Sequence, residues 1–322
     1  MKKLALFGIH RAGLIAWLML VLGLIWQRPA AAAPPAVLDS EAPPVALGTE
    51  WVRILRDQQQ KPLAMEVAVI RYVPAADVAK RSASGKKGPY AEFVDLVGVV
   101  HIGDARYYQR LNQRFEQYDA LLYELVAQAG TVIEKGTRMP NAHPLGALQN
   151  GMKSLLEIEH QLENVDYTKP NFVHADLSPD EFLQSMKDRD EGFLQIVIRL
   201  IAQASAIEEQ QAAEGESANL EILVALFFKD RSRRLKIALA KQFEQMESLL
   251  VGFSGSDGST LITERNKRAL EVLRQQRAEG KKKLAIFYGA GHMSDMHERL
   301  VADFQLQPVE IEWLEAWNLR KE

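Results

Sequence analysis

The sequence predicts an α/β fold: a central mixed, largely parallel sheet with flanking helices and a helical insertion lobe. Three apolar runs, over residues 93–100, 120–123 and 284–288, have the length and composition of buried strands. Segments with helical periodicity lie beside these runs, an alternation that is typical of βαβ units. The strand-like runs lie near the two ends of the chain, and the pattern between about residues 140 and 255 is helical.

The composition is that of a globular protein without cysteine. Of the 322 residues, 47% are hydrophobic and 25% are charged, which suits one large domain or two small ones. Because the chain contains no cysteine, disulfides, thiolate zinc sites and cysteine nucleophiles are excluded. A metal ion would have to be bound by histidine and carboxylate ligands, with backbone or water completing the coordination.

The N-terminal segment is predicted to be a targeting signal and not part of the fold. Basic residues precede an apolar run over residues 12–26, and Ala30-Ala31-Ala32 supplies a small-residue cleavage pattern. This run fits a signal peptide over residues 1–32 better than a membrane span, with an uncleaved N-terminal anchor as the alternative. The sequence therefore predicts an exported protein, periplasmic or secreted, without a stable membrane anchor after cleavage.

The mature chain is predicted to be acidic. Residues 1–32 contain four basic residues and no acidic one, so their removal changes the formal net charge from −3 to −7. An acidic chain disfavours nucleic acid as a partner, because binding to phosphates depends on basic surface. Residues 33–48 are rich in proline and alanine and predict a flexible leader before a single domain over residues 49–322.

The first half of this domain is predicted to contain most of the strands. Two strand-like segments flank a turn at residues 57–62 and predict a β-hairpin over residues 50–72. The polar stretch from Lys80 to Gly88 predicts an exposed loop. A helix over residues 105–117 then connects the first two buried strands, and this βαβ unit predicts that they pair in parallel.

The second half is predicted to be helical until its final strands. Ser178-Pro179-Asp180-Glu181 is a capping box with proline at the first helical position, which predicts the start of a helix. Further helices are predicted over residues 231–250, 261–279 and 293–304, and a closing strand over residues 308–313.

A polar residue follows each of the three buried strands. His101 ends the motif Gly98-Val99-Val100-His101, Glu124 follows the second strand, and His292 ends the motif Gly289-Ala290-Gly291-His292. Because parallel strands end at one edge of a sheet and lie about 4.8 Å apart, we expect these side chains to lie together. Two imidazoles and one carboxylate fit a catalytic metal site; without a metal, they fit a general base with an orienting partner.

Neighbouring residues are predicted to shape this site and to bind its ligand. Gly98 would leave room for a bound group, and Gly289 and Gly291 are expected at positions of positive φ or close backbone approach. Arg265 and Asn266 lie in the helix before the last buried strand. A solvated helix face is the default expectation for them, and a clamp for a substrate or a carboxylate is the alternative.

Two aspartates near these motifs are predicted to have structural roles. Asp104 is expected to be the N-cap of the helix that follows His101. Asp176 is expected to form a hydrogen-bonded pair with His174 inside their loop, with a place in the lining of the site as the alternative.

In their order along the chain, the motifs resemble those of the TraB/PrgY/GumN family, whose animal relatives are the Tiki proteases. The resemblance covers roughly residues 90–310, and its matching stretches are Gly98-Val99-Val100-His101, Tyr118-Asp119-Ala120-Leu121-Leu122-Tyr123-Glu124, Arg265-Asn266 and Gly289-Ala290-Gly291-His292. It implies an α/β fold shared with erythromycin-esterase-like and ChaN-like proteins. It also implies an active centre of His101, Glu124 and His292, with Arg265-Asn266 as the family's polar pair.

In the Tiki branch the resemblance implies a metal-dependent peptidase supported by manganese or cobalt. Asp295 departs from the glycine that many members have after the second histidine motif, which could alter that turn but leaves the ligands in place. Family membership alone does not specify the reaction, because substrates are not established for most bacterial members.

The favoured function is an exported metal-dependent hydrolase, a peptidase. His101, Glu124 and His292 would bind a divalent ion (Mn, Co or Zn) that lowers the pKa of a bound water. Arg265 or Asn266 would stabilise the developing oxyanion. The partner would be a peptide or a small-molecule substrate, and the sequence does not indicate the oligomeric state.

Two alternatives stay open. The first is a metal-free hydrolase of the erythromycin-esterase type, in which one histidine is the base that activates water. The second is a non-catalytic protein that binds a peptide or haem, with Met293 and Met296 beside His292 as candidate haem-contacting groups.

Overall fold

The computed structural model describes residues 47–85, 88–128, 130–134, 158–191, 230–253 and 259–321, together with residues 156, 225 and 228. The predicted signal peptide, most of the predicted leader and large parts of the predicted helical insertion lie outside these residues. No helix in the described ranges is both long enough and apolar enough to cross a lipid bilayer.

A seven-stranded mixed sheet with helices on both faces forms the centre of the domain, which confirms the predicted fold class. The strands are β1 (Val52–Arg56), β2 (Pro62–Pro74), β3 (Phe93–Val99), β4 (Ile102–Gly103), β5 (Ala120–Tyr123), β6 (Glu159–His160), β7 (Phe172–His174), β8 (Lys283–Gly289) and β9 (Leu306–Asn318). Strands β4 and β6 form a separate two-stranded sheet, and the other seven form the central one.

The helices flank the sheet or precede its strands. They are α1 (Ala75–Ser84), α2 (Ala105–Phe115), α3 (Gln161–Asn164), α4 (Pro179–Asp188), α5 (Arg231–Phe253), α6 (Arg265–Ala278) and α7 (Met293–Phe304). A π-helical turn, Thr260–Glu264, leads directly into α6, and a 3₁₀ turn, Ala290–His292, connects β8 to α7.

Strand β8 lies between β3 and β5 and pairs with both in parallel. The predicted direct pairing of β3 with β5 is therefore wrong, because the last buried strand of the chain enters between them. Every residue of β8 except Lys283 is buried, as expected for a strand with neighbours on both sides and helices on both faces. This order places the end of β8 between the ends of β3 and β5.

Strand β2 joins the parallel part of the sheet to an antiparallel part. It pairs with β9 from Ala64 opposite Asn318 to Pro74 opposite Leu306, and its other side pairs with β1 and then with β3. The predicted hairpin of β1 and β2 is confirmed. The predicted closing strand was too short, because polar residues along β9 interrupt its apolar pattern.

The stretch from Lys80 to Ser84 is the last part of α1, so the predicted loop is wrong for these residues, while most of them are exposed, as predicted. The helix begins at Ala75 and ends at Ser84. Gly85 caps its C-terminal end with a φ of 62°, a left-handed conformation that glycine adopts without strain. No residue of α1 is fully buried. Because the helix buries no side chain fully, its sequence needs few apolar residues. It is as polar as a loop, and the apolar pattern that would predict a helix is weak.

Side chains of β3, β5 and β8 alternate between two apolar layers, one on each face of the sheet. Helices α2 and α5 cover one layer, and α6 and α7 cover the other. Neighbouring residues show the alternation: Leu121 and Phe287 belong to the first layer, Leu122 and Ile286 to the second. Full burial of each such side chain contributes on the order of 1.5–3 kcal/mol, so these strands form a firm base for the residues at their ends.

Asp104 occupies the N-cap position of α2, as predicted, but its side chain makes no capping hydrogen bond. Instead, Oδ1 accepts a hydrogen bond from Lys236 Nζ of α5 at 2.7 Å, and Oδ2 accepts one from the Asn318 backbone N–H of β9 at 2.6 Å. Asp104 therefore connects α5 and β9 to the segment that follows His101.

Candidate active site

Three strand ends bring His101, Glu124 and His292 together. His101 lies two residues after β3, Glu124 lies directly after β5, and His292 ends the turn after β8. A Cβ atom built on Gly289 would lie 3.3 Å from Glu124 Oε2, 3.8 Å from His101 Nε2 and 3.8 Å from His292 Cδ2. The three side chains therefore surround one point at the end of β8, which is the juxtaposition expected from the strand ends.

Gly289 makes room for this arrangement through its missing side chain and not through its backbone. Its φ of −51° and ψ of 139° are open to any residue, and Gly291 in the 3₁₀ turn has no positive φ either. The expected positive φ is thus absent at both positions. The expected close approach is present at Gly289, where a methyl group would press on the Glu124 carboxylate.

Gly98 has a different neighbourhood from the one expected. A Cβ atom there would lie 3.1 Å from Val67 Cγ1, 3.2 Å from the Ala68 carbonyl oxygen and 3.7 Å from Met293 Cγ. These atoms belong to β2 and α7, so the absence of a side chain at Gly98 allows close packing between elements and does not open space beside the two histidines.

Glu124 is an ionised carboxylate with both oxygens engaged. Oε2 accepts a hydrogen bond from the Gly289 backbone N–H at 2.6 Å, and Oε1 accepts one from Arg265 Nη2 at 2.6 Å. Burial alone would raise the pKa of Glu124, but Arg265, the two site histidines and the Gly289 N–H outweigh it and hold that pKa well below its usual range.

Arg265 is buried between two carboxylates. Asp176 accepts hydrogen bonds from its Nε at 2.9 Å and from its Nη2 at 2.6 Å, and Glu124 accepts the other Nη2 hydrogen. Burial alone would lower the pKa of Arg265, but the two negative charges raise it above its ordinary value, so the guanidinium is charged. Nη1 lies 3.4 Å from His292 Nε2, and its second hydrogen has no acceptor among the described residues.

His292 is neutral, and its protonation site is fixed by Asn266. Burial is the main reason that the pKa of His292 falls to about 4. Asn266 Nδ2 donates to the His292 carbonyl at 3.1 Å and to Asp295 Oδ2 at 2.8 Å, so its Oδ1 must face the ring. His292 Nδ1 donates to this oxygen at 2.7 Å, and the Nε2 lone pair therefore faces Arg265 and Glu124.

The hydrogens of the Asn266 amide are thus already donated inside the turn. Asn266 is suited to hold His292 in place and does not have a free donor for a substrate oxygen. Asp295 is part of this support, since Arg299 of the same helix donates to its carboxylate at 2.7 Å and 2.9 Å.

His101 is the exposed member of the group. Its Nδ1 lies 3.0 Å from Gln161 Oε1, and its Nε2 points toward the shared space near Gly289. Nε2 has no hydrogen-bond partner in the described part of the chain. A water or a substrate can therefore reach this nitrogen.

A divalent cation fits these residues by type but not by arrangement. Glu124 Oε1 and His292 Nε2 are 3.6 Å apart, close to the roughly 3.4 Å separation of two ligands on one tetrahedral ion. Arg265, however, lies against both atoms and faces the His292 lone pair. Within the described residues, no group of three or more histidine and carboxylate side chains is arranged to hold a metal ion.

The sequence offered Asp176 only as an alternative member of the site, and it gave no indication of Gln161. Asp176 lies two residues after β7, as His101 lies two residues after β3, but β7 has only three residues and too little pattern to predict a strand. The same rule applied to β7 would have found Asp176. Gln161 left no signal, because it reaches His101 through the separate sheet of β4 and β6.

The predicted pair of His174 with Asp176 is wrong, and the other histidines of the described residues have other contacts. His174 Nε2 donates to the Leu125 carbonyl at 2.6 Å, while Asp176 is bound to Arg265. His297 Nδ1 lies 2.7 Å from the Tyr72 hydroxyl oxygen on the other side of α7.

Comparisons of the chain with protein-family models, with curated proteins and with solved structures found no match.

Proposed function

We propose that the chain is a hydrolase that cleaves peptide bonds, with His101 as the general base for water. The observation that carries the proposal is the convergence of His101, Glu124 and His292 on one point at the end of β8, with the charged guanidinium of Arg265 beside it. An accessible base can activate water, and a charged donor in the same site can stabilise the negative charge that develops on a carbonyl oxygen.

The proposed reaction starts with a water bound at His101 Nε2. His101 takes a proton from this water while the water oxygen attacks the carbonyl carbon of the peptide bond. The negative charge that develops on the carbonyl oxygen is stabilised by the Arg265 Nη1 hydrogen that has no acceptor among the described residues. The His101 imidazolium then returns the proton to the leaving amine as the carbon–nitrogen bond breaks.

The remaining residues support these two. Glu124 is ionised, and it attracts the positive charge that forms on His101 during proton transfer. Asp176 and Glu124 fix the guanidinium of Arg265 with three short hydrogen bonds. His292 stays neutral at physiological pH because its pKa is lowered to about 4, so it does not repel the positive charge that forms on His101.

A metal-dependent hydrolase is the second candidate. The observation that favours it is that His101 Nε2 and His292 Nε2 both lie near the Glu124 carboxylate. Two histidine nitrogens and one carboxylate form the ligand set of a catalytic Mn, Co or Zn site. A bound ion would supply Lewis-acid activation of water. In that case Arg265 would first have to move away from the lone pair of His292, which its two bonds to Asp176 oppose.

Hydrolysis of a fluorogenic peptide library and of p-nitrophenyl esters by the purified chain tests the proposal. Activity is measured after chelator treatment and after addition of Mn²⁺, Co²⁺ or Zn²⁺. Activity that persists in chelator supports the metal-free site, and activity that is lost and then restored by an ion supports the second candidate. Both His101→Gln and Arg265→Lys are expected to lower kcat by about 100-fold or more.

His297→Gln is the matched control, because this histidine lies on α7 with the Tyr72 hydroxyl as its partner. It is expected to keep the wild-type kcat. A chain that hydrolyses neither substrate class under any of these conditions, or a His101→Gln variant that is as active as the wild type, contradicts the proposal.

The family and the location of the protein are part of the same proposal. The four motifs in order support membership of the TraB/PrgY/GumN family, and the charge and apolar pattern of residues 1–32 supports action outside the cytoplasm. Expression of the full chain fused to a reporter that is active only after export tests the second point.

A further inference from the structure

We propose that Gln161 is a positioning residue that keeps the proton of neutral His101 on Nδ1, so that the Nε2 lone pair faces the site. The catalytic meaning of this inference rests on the proposed function. The position of the proton can nevertheless be measured without any substrate.

The two-stranded sheet of β4 and β6 brings Gln161 beside His101. Ile102 pairs with His160 in antiparallel register, and this register continued by one residue places His101 opposite Gln161. The Gln161 backbone N–H donates to the His101 carbonyl at 2.9 Å, and Gln161 Oε1 lies 3.0 Å from His101 Nδ1. The backbone and the ring of His101 therefore contact one buried residue.

The far end of the Gln161 amide is anchored as well. Nε2 donates to the Tyr167 hydroxyl at 2.8 Å. The Tyr167 ring packs edge-on against Tyr123, with ring centroids 5.2 Å apart, directly before Glu124 in the chain. In this orientation of the amide, Oε1 faces His101 and can only accept, so Nδ1 is the donor.

Glu124 acts in the opposite direction, and this gives Gln161 its role. The negative charge of Glu124 lies on the Nε2 side of the His101 ring and attracts a proton to that nitrogen. A general base with its proton on Nε2 has no lone pair left for water. The hydrogen bond from Nδ1 to Gln161 holds the proton on the far side of the ring and keeps Nε2 available.

His292 shows the same device in the same site. Its Nδ1 donates to the side-chain oxygen of Asn266 at 2.7 Å, and that amide is oriented by a carbonyl and a carboxylate. Both histidines of the two motifs thus have a side-chain amide oxygen at Nδ1. Histidines that present Nε2 to a reacting group are generally fixed in this way through their other nitrogen.

Long-range ¹H–¹⁵N correlation NMR of the full chain reads the tautomer of each histidine directly. The measurement is made at about pH 8.5, well above the ordinary histidine pKa of about 6.5. His101→Gln assigns the signal. We expect the wild-type His101 to have its proton on Nδ1, Gln161→Met to move it to Nε2, and Gln161→Glu, which keeps an acceptor, to leave it on Nδ1.

The His292 signal is the internal control, because Asn266 and not Gln161 determines it; it is expected to stay unchanged in both variants. A wild-type His101 with its proton on Nε2 overturns the proposal, as does a Gln161→Met variant whose His101 keeps the Nδ1 proton. If Gln161→Met does not fold, the wild-type spectrum alone decides.

The hydrolysis assay separates this inference from the proposed function. Gln161→Met is expected to lower kcat by about 10-fold or more at an unchanged KM, because substrate binding does not involve the Nδ1 side of the ring. A chain without hydrolytic activity refutes the proposed function but leaves the measured tautomer, and with it the role of Gln161, intact.

Discussion

Gly289 occupies the point at which the three motif side chains meet, and only a hydrogen atom fits there without pressing on them. A methyl group would lie 3.3 Å from a Glu124 oxygen whose position is already fixed by the Gly289 N–H and by Arg265. The carboxylate has little freedom to move aside. Since the backbone angles of Gly289 suit any residue, this glycine serves the site and not the fold.

Gly289→Ala is therefore expected to reduce activity without reducing stability. Displacing Glu124 and Arg265 by a few tenths of an ångström should lower kcat by about 10-fold, since catalysis is sensitive to small misplacements. The free energy of unfolding, measured with urea, should change by less than about 0.5 kcal/mol.

Gly280→Ala is the matched control, for which we expect a loss of stability without a loss of activity. Gly280 has a φ of 86° and open space around it, so alanine there is strained by about 1 kcal/mol without touching the site. This variant should lose stability and keep its kcat. Equal losses of stability in the two variants would contradict the role given to Gly289.

At the scale of elements, the sequence predicted the strands that carry the site but not their order. Each of the three strands is an apolar run that ends in a polar residue, a pattern visible in the sequence alone. The position of β8 between β3 and β5 depends on pairing across more than 150 residues of chain, which periodicity does not encode. The position of the three side chains could still be predicted, because parallel strands end at the same edge of a sheet whatever their order.

The parts of the site that the sequence left open come from short elements. Asp176 follows the three-residue β7, and Gln161 follows the two-residue β6. Elements this short contain too few residues for a period to be recognised. The capping box before α4 was predicted fully, because its signal is local and chemical: Ser178 and Glu181 bind each other's backbone N–H groups.

This capping box supports the site through α4. The helix contacts the π-helical turn before Arg265, where Ser185 Oγ lies 2.8 Å from Thr260 Oγ1. Ser178→Ala should lower the free energy of unfolding by about 1 kcal/mol at neutral pH, since it leaves the Glu181 N–H without its acceptor. Urea unfolding followed by circular dichroism measures this change.

Glu181→Gln should lower stability in a pH-dependent way. The Ser178 backbone N–H lowers the pKa of Glu181, so its carboxylate stabilises the fold above the ordinary value of about 4.3, and this contribution is lost as the pH falls through the lowered value. The variant should be less stable than the wild type at pH 7, and this difference should shrink as the pH falls below about 4.3. Glu271→Gln, which removes an exposed ion pair on α6, should change stability by less than about 0.5 kcal/mol at pH 7.

At the scale of the whole molecule, the last strand closes the domain onto the segment that contains His101. Strand β9 pairs with β2 across more than 200 residues of sequence. Its buried Trp317 donates a hydrogen bond from Nε1 to the Ile102 carbonyl at 2.8 Å and packs edge-on against Phe243 of α5. The Trp317 indole therefore connects β9 and α5 to the segment that follows His101.

Trp317 should therefore be the most sensitive position of β9. Trp317→Phe keeps an aromatic ring and loses the hydrogen bond to Ile102, so it should cost about 1 kcal/mol of unfolding free energy. Trp317→Ala also leaves a cavity between β9 and α5 and should cost about 3–5 kcal/mol. Trp313→Phe on the same strand is the control: its ring is partly exposed and faces the Arg53 guanidinium, so the cost should be below about 1 kcal/mol. Equal costs at Trp313 and Trp317 in urea unfolding would show that closure of the domain does not depend on this contact.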